Sequence, residues 1–339
     1  MKHGRFSLFI LLQAVVLLVC GCTGRAAAGR TIGVFIPGVL SGSPVYEMLA
    51  AGVSRAAEEF TAPGAEVNVL VIEGGYNQAE WENKVTVMAA SRSYDLIVSS
   101  NPSLPAIVSG VSEKFPDQYF LLLDGELAGN SRVYTLRYNQ REQAYLAGSI
   151  AALETEALGG IPLVGLIAAQ EYPVMNNVLL PGYRAGAQAI NERFGVEFRL
   201  VGNWYDAVKA GELAADLIAR GVKVILCISG GANEGVVQTA ADLGAKVVWF
   251  DTNGYAVRPG TVVGSSVLYQ DKAAYVLTAR YLEGSLPFGT AEMAGVKEGY
   301  VDFIQDDPHY RAAVAPEVRS AQAAIVEQIR SGELDLSGK

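Results

Sequence analysis

From Thr31 onward, short β-branched runs alternate with longer amphipathic stretches, and this alternation restricts the fold more than any single motif does. Strands separated by helix-length segments need crossover connections, the signature of βαβ units and a parallel sheet. The spacing predicts strands at 31–36, 66–72, 95–98, 119–123, 162–168, 197–201, 223–228 and 246–250. Helices are predicted between them, at 45–60, 140–153, 183–193, 211–219, 235–243 and 272–282.

The order contains a weak internal repeat. The strand at 31–36 and a helix carrying Gly52-Val53-Ser54-Arg55-Ala56 are echoed by the strand at 162–168 and Gly182-Tyr183-Arg184-Ala185-Gly186-Ala187. A second pairing sets Asp124-Gly125, at one strand end, against Asp251 at another. Two α/β lobes of similar plan follow. Ligands of open α/β sheets bind outside the carboxyl ends of the strands, so facing lobes place the loops 37–46, 99–102, 170–177, 229–233 and 251–255 around one cleft. That is the layout of a hinge-closing binding protein. Each half supplies only one wall, and the hinge is expected near 125–138 and 254–266.

Composition narrows the function. Removing a 21-residue leader from 339 residues leaves room for two domains of ~100–200 residues each. Hydrophobic residues make up 50% and charged residues 18%, enough to bury substantial cores. A net charge of −9, a pI near 4.9 and no run of Lys or Arg argue against a nucleic-acid partner. Beyond His3 in the leader only His309 remains, so a Ser-His-Asp triad or a His-rich zinc site would rest on one imidazole in a loop-like stretch.

Lys2, His3 and Arg5 precede an apolar run over 6–19 and then Cys20-Gly21-Cys22, the layout of a secretory signal peptide. The run is shorter than the ~20 residues a membrane span needs. Val19-Cys20-Gly21-Cys22 also resembles a bacterial lipobox, which makes Cys22 the acylated first residue after cleavage and residues 22–30 a tether. An ordinary cleaved signal with incidental cysteines is the plainer alternative. Cys227, in Val224-Ile225-Leu226-Cys227-Ile228, is expected to be a core side chain rather than a reactive thiol.

Gly230-Gly231-Ala232-Asn233-Glu234-Gly235 follows a strand and opens a helix, but it matches neither the dinucleotide nor the P-loop spacing; a tight turn lining a cleft is the expectation. Ser43 and Ser229 lack the Gly-x-Ser-x-Gly elbow of a hydrolase nucleophile. Asp251, before Thr252-Asn253-Gly254, is expected to accept hydrogen bonds from ligand hydroxyls, whereas Asp124 reads as a turn or hinge residue. Tyr46, Tyr138, Tyr172, Trp204, Tyr205 and Tyr255 fall at predicted strand ends, as core or as walls for a planar ligand.

The segment order resembles the basic membrane protein family, solute-binding lipoproteins of ABC importers that include purine nucleoside receptors. The resemblance runs from Thr31 to Leu334. It rests on Asp95-Leu96-Ile97-Val98, Phe115-Pro116-Asp117-Gln118-Tyr119-Phe120, Tyr145-Leu146-Ala147-Gly148-Ser149-Ile150-Ala151-Ala152, and Pro173 with Gly182-Tyr183-Arg184-Ala185-Gly186. Trp204-Tyr205-Asp206, Gly230-Gly231 with Gly235-Val236, and Asp251 match as well. The resemblance implies a type I periplasmic-binding-protein fold with three hinge crossovers, each lobe a mostly parallel sheet flanked by helices, and no catalysis or cofactor. One lobe would be residues 31–137 with about 266–285, the other 138–265 with about 286–334. A monomer anchored by lipid on the periplasmic or outer face of the bacterial inner membrane, passing its ligand to a permease and ATPase, is implied too.

The departures bear on the ligand. Where nucleoside-binding members carry Asp-x-Ser-Phe-Asn in the first strand-to-helix loop, this chain reads Gly42-Ser43-Pro44-Val45-Tyr46. The Phe that would stack on a base after Pro173 becomes Val178 or Leu179, and a ligand-contacting Lys beyond Asp251 falls on Leu268, beside Tyr269. Apolar and aromatic groups thus replace polar ones while Asp251 remains. That exchange suits a larger ring with a polyol tail, as in riboflavin, and the chain resembles the riboflavin-binding spirochaetal branch of the family. Purine nucleosides are the alternative ligand, and a secreted α/β hydrolase the alternative class. The expected ligand-binding set is Ser43, Tyr46, Asn101, Tyr138, Tyr172, Trp204, Gly230, Asp251 and Leu268, with no metal.

Overall fold

The computed structural model describes residues 29–336. The expected signal peptide, Cys20, Cys22 and nearly all of the expected tether lie outside the described residues. Two six-stranded sheets organise the chain. The first is built from β1 (Arg30–Ile36), β2 (Val67–Glu73), β3 (Leu96–Ser100), β4 (Tyr119–Leu123) and β5 (Val133–Tyr138). The second contains β6 (Leu163–Ala168), β7 (Gly195–Leu200), β8 (Val224–Ile228), β9 (Lys246–Asp251) and β10 (Val262–Leu268). The sixth strands, β11 (Ala291–Ala294) and β12 (Val301–Phe303), join the first and the second sheet respectively.

Both sheets have the same spatial plan, β2-β1-β3-β4-β5-β11 and β7-β6-β8-β9-β10-β12. Every pairing is parallel except β10 with β12. This is the expected two-lobed architecture, and the repeat read from the sequence is the repeat of the sheets. All residues of β3 and β8 are buried, as parallel strands covered on both faces must be.

Helices α1 (Pro44–Phe60), α2 (Trp81–Ser91) and α3 (Leu104–Lys114) belong to the first lobe. In the second, α4 (Gln140–Ala157) packs on α5 (Leu180–Ile190) and on β10, while α6 (Ala207–Ala219) packs on α7 (Asn233–Leu243). Then α8 (Gln270–Leu282) returns to lie on α1. After α9 (Pro308–Ala313), the last helix α10 (Pro316–Ser331) packs on α4.

The chain therefore changes lobe between β5 and α4, between β10 and α8, and between β11 and β12. These crossovers lie at 138–140, 268–270 and 295–300. The expected hinge segments, 125–138 and 254–266, reach only to the near side of the first two crossovers and contain β5 and most of β10, strands absent from the predicted set. The expected lobe boundaries change in one place: β11, within 286–334, pairs with β5 and lies in the first sheet. It is short, its residues Glu292 and Met293 are exposed, and parallel hydrogen bonds to β5 hold it there.

Hydrogen bonds tie the crossovers together. Asn139 N donates to Ala294 O at 2.8 Å and Tyr269 N to Tyr300 O at 2.9 Å. Glu142, 9% exposed, accepts from Val296 N at 2.7 Å and from Asn139 Nδ2 at 2.9 Å, so one carboxylate bridges the first crossover and the third. Cys227 is fully buried in β8, as expected, and burial raises its thiol well above the ordinary range.

Candidate functional site

The strand order 2-1-3 makes the gap between β1 and β3 a topological switch point, and the loops at its carboxyl edge are the expected place for a ligand. The loop after β1 carries Gly38, whose positive φ favours glycine; a Cβ there would lie 3.3 Å from the Tyr46 ring. Tyr46, half-buried in the first turn of α1, donates its hydroxyl to Pro37 O at 3.2 Å and accepts from Asn101 Nδ2 at 3.3 Å. Asn101 Oδ1 in turn accepts from Ser103 N at 2.9 Å. The ring is thereby held from the loops after both β1 and β3. Ser43 precedes α1 without capping it through its side chain.

Two strand-end aspartates form the floor of the site. Asp124 follows β4 with φ +54° and Asp251 ends β9 with φ +69°, so both adopt the left-handed conformation, which short polar residues tolerate better than others. They occupy equivalent positions in the two sheets. Their side chains are half-buried. Burial, then the charge of Asp251, pushes the Asp124 carboxyl up to about 7. Burial also raises Asp251 to about 6, against the opposing hydrogen bond from Gln143 Nε2 at 3.0 Å.

The second lobe supplies an aromatic wall. Tyr172, half-buried, lies 6.3 Å from Trp204 between ring centroids. Burial, and then the charges of Asp251 and Asp124, raise the Tyr172 hydroxyl. Trp204 is 41% exposed. Gly230, with φ +60°, lies against it: a Cβ there would meet Trp204 O at 3.1 Å and the indole ring at 3.3 Å. A cavity of about 540 Å³ lies mainly on the first lobe, lined by α3 residues, the 124–127 loop and Arg137, with Gln140 and Val174 at its edge; of the candidate site residues it takes in Asp124. Ligand pockets have volumes of ~300–1,000 Å³. A cavity of the same size around Ser112, Asn130 and Arg132 lies on the first lobe alone, away from the aspartates.

Other expected site residues are placed differently. Tyr138 is 2% exposed at the first crossover, and its hydroxyl donates to Gln270 Oε1 at 2.6 Å, linking two crossovers. Leu268 ends β10 at the second crossover, packed in the core with 5% exposure. Tyr255 is fully buried and donates to Ile304 O at 2.8 Å. The sequence reading gives Asp124 a turn or hinge role and does not single out Gln143, whose side chain holds Asp251. The internal repeat carried the signal for the first, by aligning Asp124 with Asp251. No sequence signal marked the second, which closes the polar first turn Gln140-Arg141-Glu142-Gln143 of a helix and reads as solvated.

The Gly230–Gly235 stretch is a single 3₁₀ turn leading into α7, with Asn233 Oδ1 accepting from Ser229 N at 2.8 Å and from Ser229 Oγ at 2.6 Å. Gly235 serves helix packing instead: a Cβ would fall 1.7 Å from Ala207 O of α6. His309 lies in the first turn of α9, where its N–H donates to Asp307 Oδ1 at 2.8 Å, and no acid–base pair with a nucleophile is built around it among the described residues.

Comparison with known proteins agrees with this layout. A solute-binding protein of an ABC transporter system from Aeropyrum pernix has a similar structure, with TM-score 0.76 and 22% identity, covering 90% of this chain and 92% of that one. A Lactococcus lactis protein named as an ABC transporter nucleoside-binding protein is 24% identical over 268 residues, 74% of this chain and 73% of its own. An uncharacterized lipoprotein of Pyrococcus abyssi is 24% identical over 256 residues, 71% of this chain and 61% of its own. With residues 30–335 matching the model of the Bmp family, described as PnrA-like ABC transporter substrate-binding proteins, this chain belongs to that family of solute receptors.

Proposed function

We propose that this chain is a lipid-anchored receptor that captures a planar aromatic ring with a hydroxylated tail, riboflavin before others, and delivers it to an ABC permease. The observation that carries this reading is the pairing of two strand-end carboxylates with aromatic rings from both lobes. Asp124 and Asp251 are acceptors for tail hydroxyls, while Tyr46 on one side and Tyr172 with Trp204 on the other flank a planar ring. An aromatic pair contributes ~0.5–1.5 kcal/mol beyond its area burial. The loop residues Ser43 and Gly230 and the apolar Leu268 shape the remaining walls in this reading. Purine nucleosides are the second reading, favoured by the nucleoside-binding name of the Lactococcus lactis relative.

Titrating refolded, ligand-free protein with riboflavin, and separately with guanosine or inosine, decides between them. Flavin fluorescence should quench with a saturable, micromolar-or-tighter isotherm. Heat of nucleoside binding without any quenching would overturn the flavin reading and support the second.

The anchor belongs to the same proposal. The lipoprotein name of the Pyrococcus abyssi relative supports acylation of Cys22, and two or more acyl chains hold a protein stably where a single one is marginal. Cys22→Ala should move the protein from the detergent phase to the aqueous phase on partitioning. Unchanged partitioning would show that Cys22 carries no anchor. The receptor works as a monomer, with no nucleic-acid partner, on the outer side of the cytoplasmic membrane.

A further inference from the structure

We infer that Gln143 is a positioning residue that sets selectivity for the hydroxylated tail of the ligand, by fixing the carboxylate of Asp251 and tying it to the hinge. This rests on the proposed function above. Gln143 lies in the first turn of α4, immediately beyond the first crossover, and is fully buried. Its Nε2 donates to Asp251 Oδ1 at 3.0 Å and to Ser266 O at 3.2 Å. Its backbone carbonyl accepts from Ser266 Oγ at 2.7 Å. Ser266 belongs to β10, which runs directly into the second crossover. One amide thus connects the strand-end carboxylate to the two segments through which the lobes turn.

The orientation of that amide is forced. Turned over, Oε1 would face Asp251 Oδ1 and Ser266 O, three acceptors together with no proton among them. In the orientation observed, Oε1 is buried and without a hydrogen-bond partner. Buried acceptors without donors are rare in native proteins, so the amide gives up a partner for Oε1 in order to hold Asp251 Oδ1 and Ser266 O. Asp251 Oδ2 accepts no hydrogen bond among the described residues. With Oδ1 occupied by Gln143, the left-handed backbone at Asp251 and the amide together leave one carboxylate oxygen to accept from a tail hydroxyl. Ring recognition lies elsewhere, at Tyr46, Tyr172 and Trp204, so the two functions of the site are separable.

The test compares riboflavin with lumiflavin, which keeps the ring and lacks the hydroxylated tail, in wild type, Gln143→Leu and Gln143→Asn. Leu keeps most of the volume and removes both polar atoms, whereas Asn keeps the amide and draws it back by one methylene. Riboflavin binding should weaken by about tenfold or more in each, the loss expected for a charge-assisted hydrogen bond, with lumiflavin binding unchanged. In an Asp251→Asn background, Gln143→Leu should have little further effect. Equal weakening of both ligands would reveal a merely structural residue and overturn the assignment, as would no weakening of riboflavin. Should Gln143→Leu fail to fold, the Asn variant carries the same comparison. A wrong flavin reading shows in the wild type alone, as absence of flavin binding; inosine and hypoxanthine then replace the two flavins in the same design.

Discussion

Asp251→Ala should reduce affinity for the tail-bearing ligand by about 100-fold or more, the largest loss expected from any single side chain of the site. A hydrogen bond to an ionised group contributes ~1.5–3 kcal/mol, and the two lone pairs of the carboxylate oxygen left by Gln143 give it the capacity for more than one such bond. Each 1.4 kcal/mol is about tenfold in affinity. The variant also leaves Gln143 Nε2 with only Ser266 O, so part of the loss is the cost of a weakened buried donor. Calorimetric titration of the purified variant measures this. Affinity within threefold of wild type would remove Asp251 from the site.

The same pair of aspartates gives binding and stability opposite dependences on pH. Burial holds Asp124 at about 7 and Asp251 at about 6, both above the 3.8 of an unburied aspartate. The folded chain therefore binds protons that the unfolded chain has already released, and linkage makes the ligand-free protein more stable as pH falls from about 7 towards about 4. Capture of hydroxyl donors requires the ionised form, so affinity should rise with pH across the same interval. Glu154, also raised by burial to about 7, adds to the stability slope. The contribution of the pair is hence the difference between wild type and the Asp124→Asn, Asp251→Asn double variant, whose pH dependence should be flatter in both measurements.

Much of the architecture was legible because parallel strands need continuous apolar runs, and the runs containing Ile32–Ile36, Val164–Ala168 and Val224–Ile228 are unmistakable on that ground. The strands that escaped notice have other compositions. Gly264, Ser265 and Ser266 interrupt the apolar run of β10 with residues that read as loop, yet all are buried. Ser265 and Ser266 are tied down by side-chain hydrogen bonds to Gly254 N and Gln143 O. Gly264 is small because Ile150 Cγ2 lies 2.9 Å from where its Cβ would be. A pattern reader sees three small polar-looking residues, while the fold uses them as the close-packed entrance to a crossover.

The placement of the expected site residues was legible in part. Tyr46, Asn101, Tyr172, Trp204, Gly230 and Asp251 lie at or just beyond the carboxyl ends of strands, where position along the chain puts them. Tyr138 and Leu268 have the same credentials and went to the hinge instead. Whether a strand-end side chain faces the cleft or the neighbouring crossover depends on the path of a second segment, here the one beginning at Gln270, whose side chain takes up the Tyr138 hydroxyl. That partner is 132 residues away in sequence. No local pattern carries such information.

The glycines that mark the family resemblance yield the last expected result. Gly148 and Gly186 lie where α4 crosses α5: a Cβ on Gly148 would fall 2.0 Å from Tyr183 O, and one on Gly186 would fall 2.0 Å from Tyr145 O. Each glycine faces backbone of the other helix, which cannot swing aside as a side-chain tip does, so an added methyl must push the helices apart. Both are buried against the core of the second lobe, and separation there opens voids along a contact lined by Tyr183, Ala187 and Ile150. Overpacking of this kind costs ~1–3 kcal/mol and more where neighbours cannot yield; Gly186→Ala should therefore destabilise by about 3 kcal/mol despite the better helix propensity of alanine. Gly110, inside α3, is the control, because nothing lies within 4 Å of its would-be Cβ. There the propensity gain acts alone, and Gly110→Ala should stabilise by ~0.5–1 kcal/mol. Urea unfolding followed by far-UV circular dichroism reads both as shifts of midpoint in opposite directions. Two shifts of the same sign would mean that α4 and α5 do not approach as closely as described, and that the glycine pattern at 148 and 186 has some origin other than helix contact.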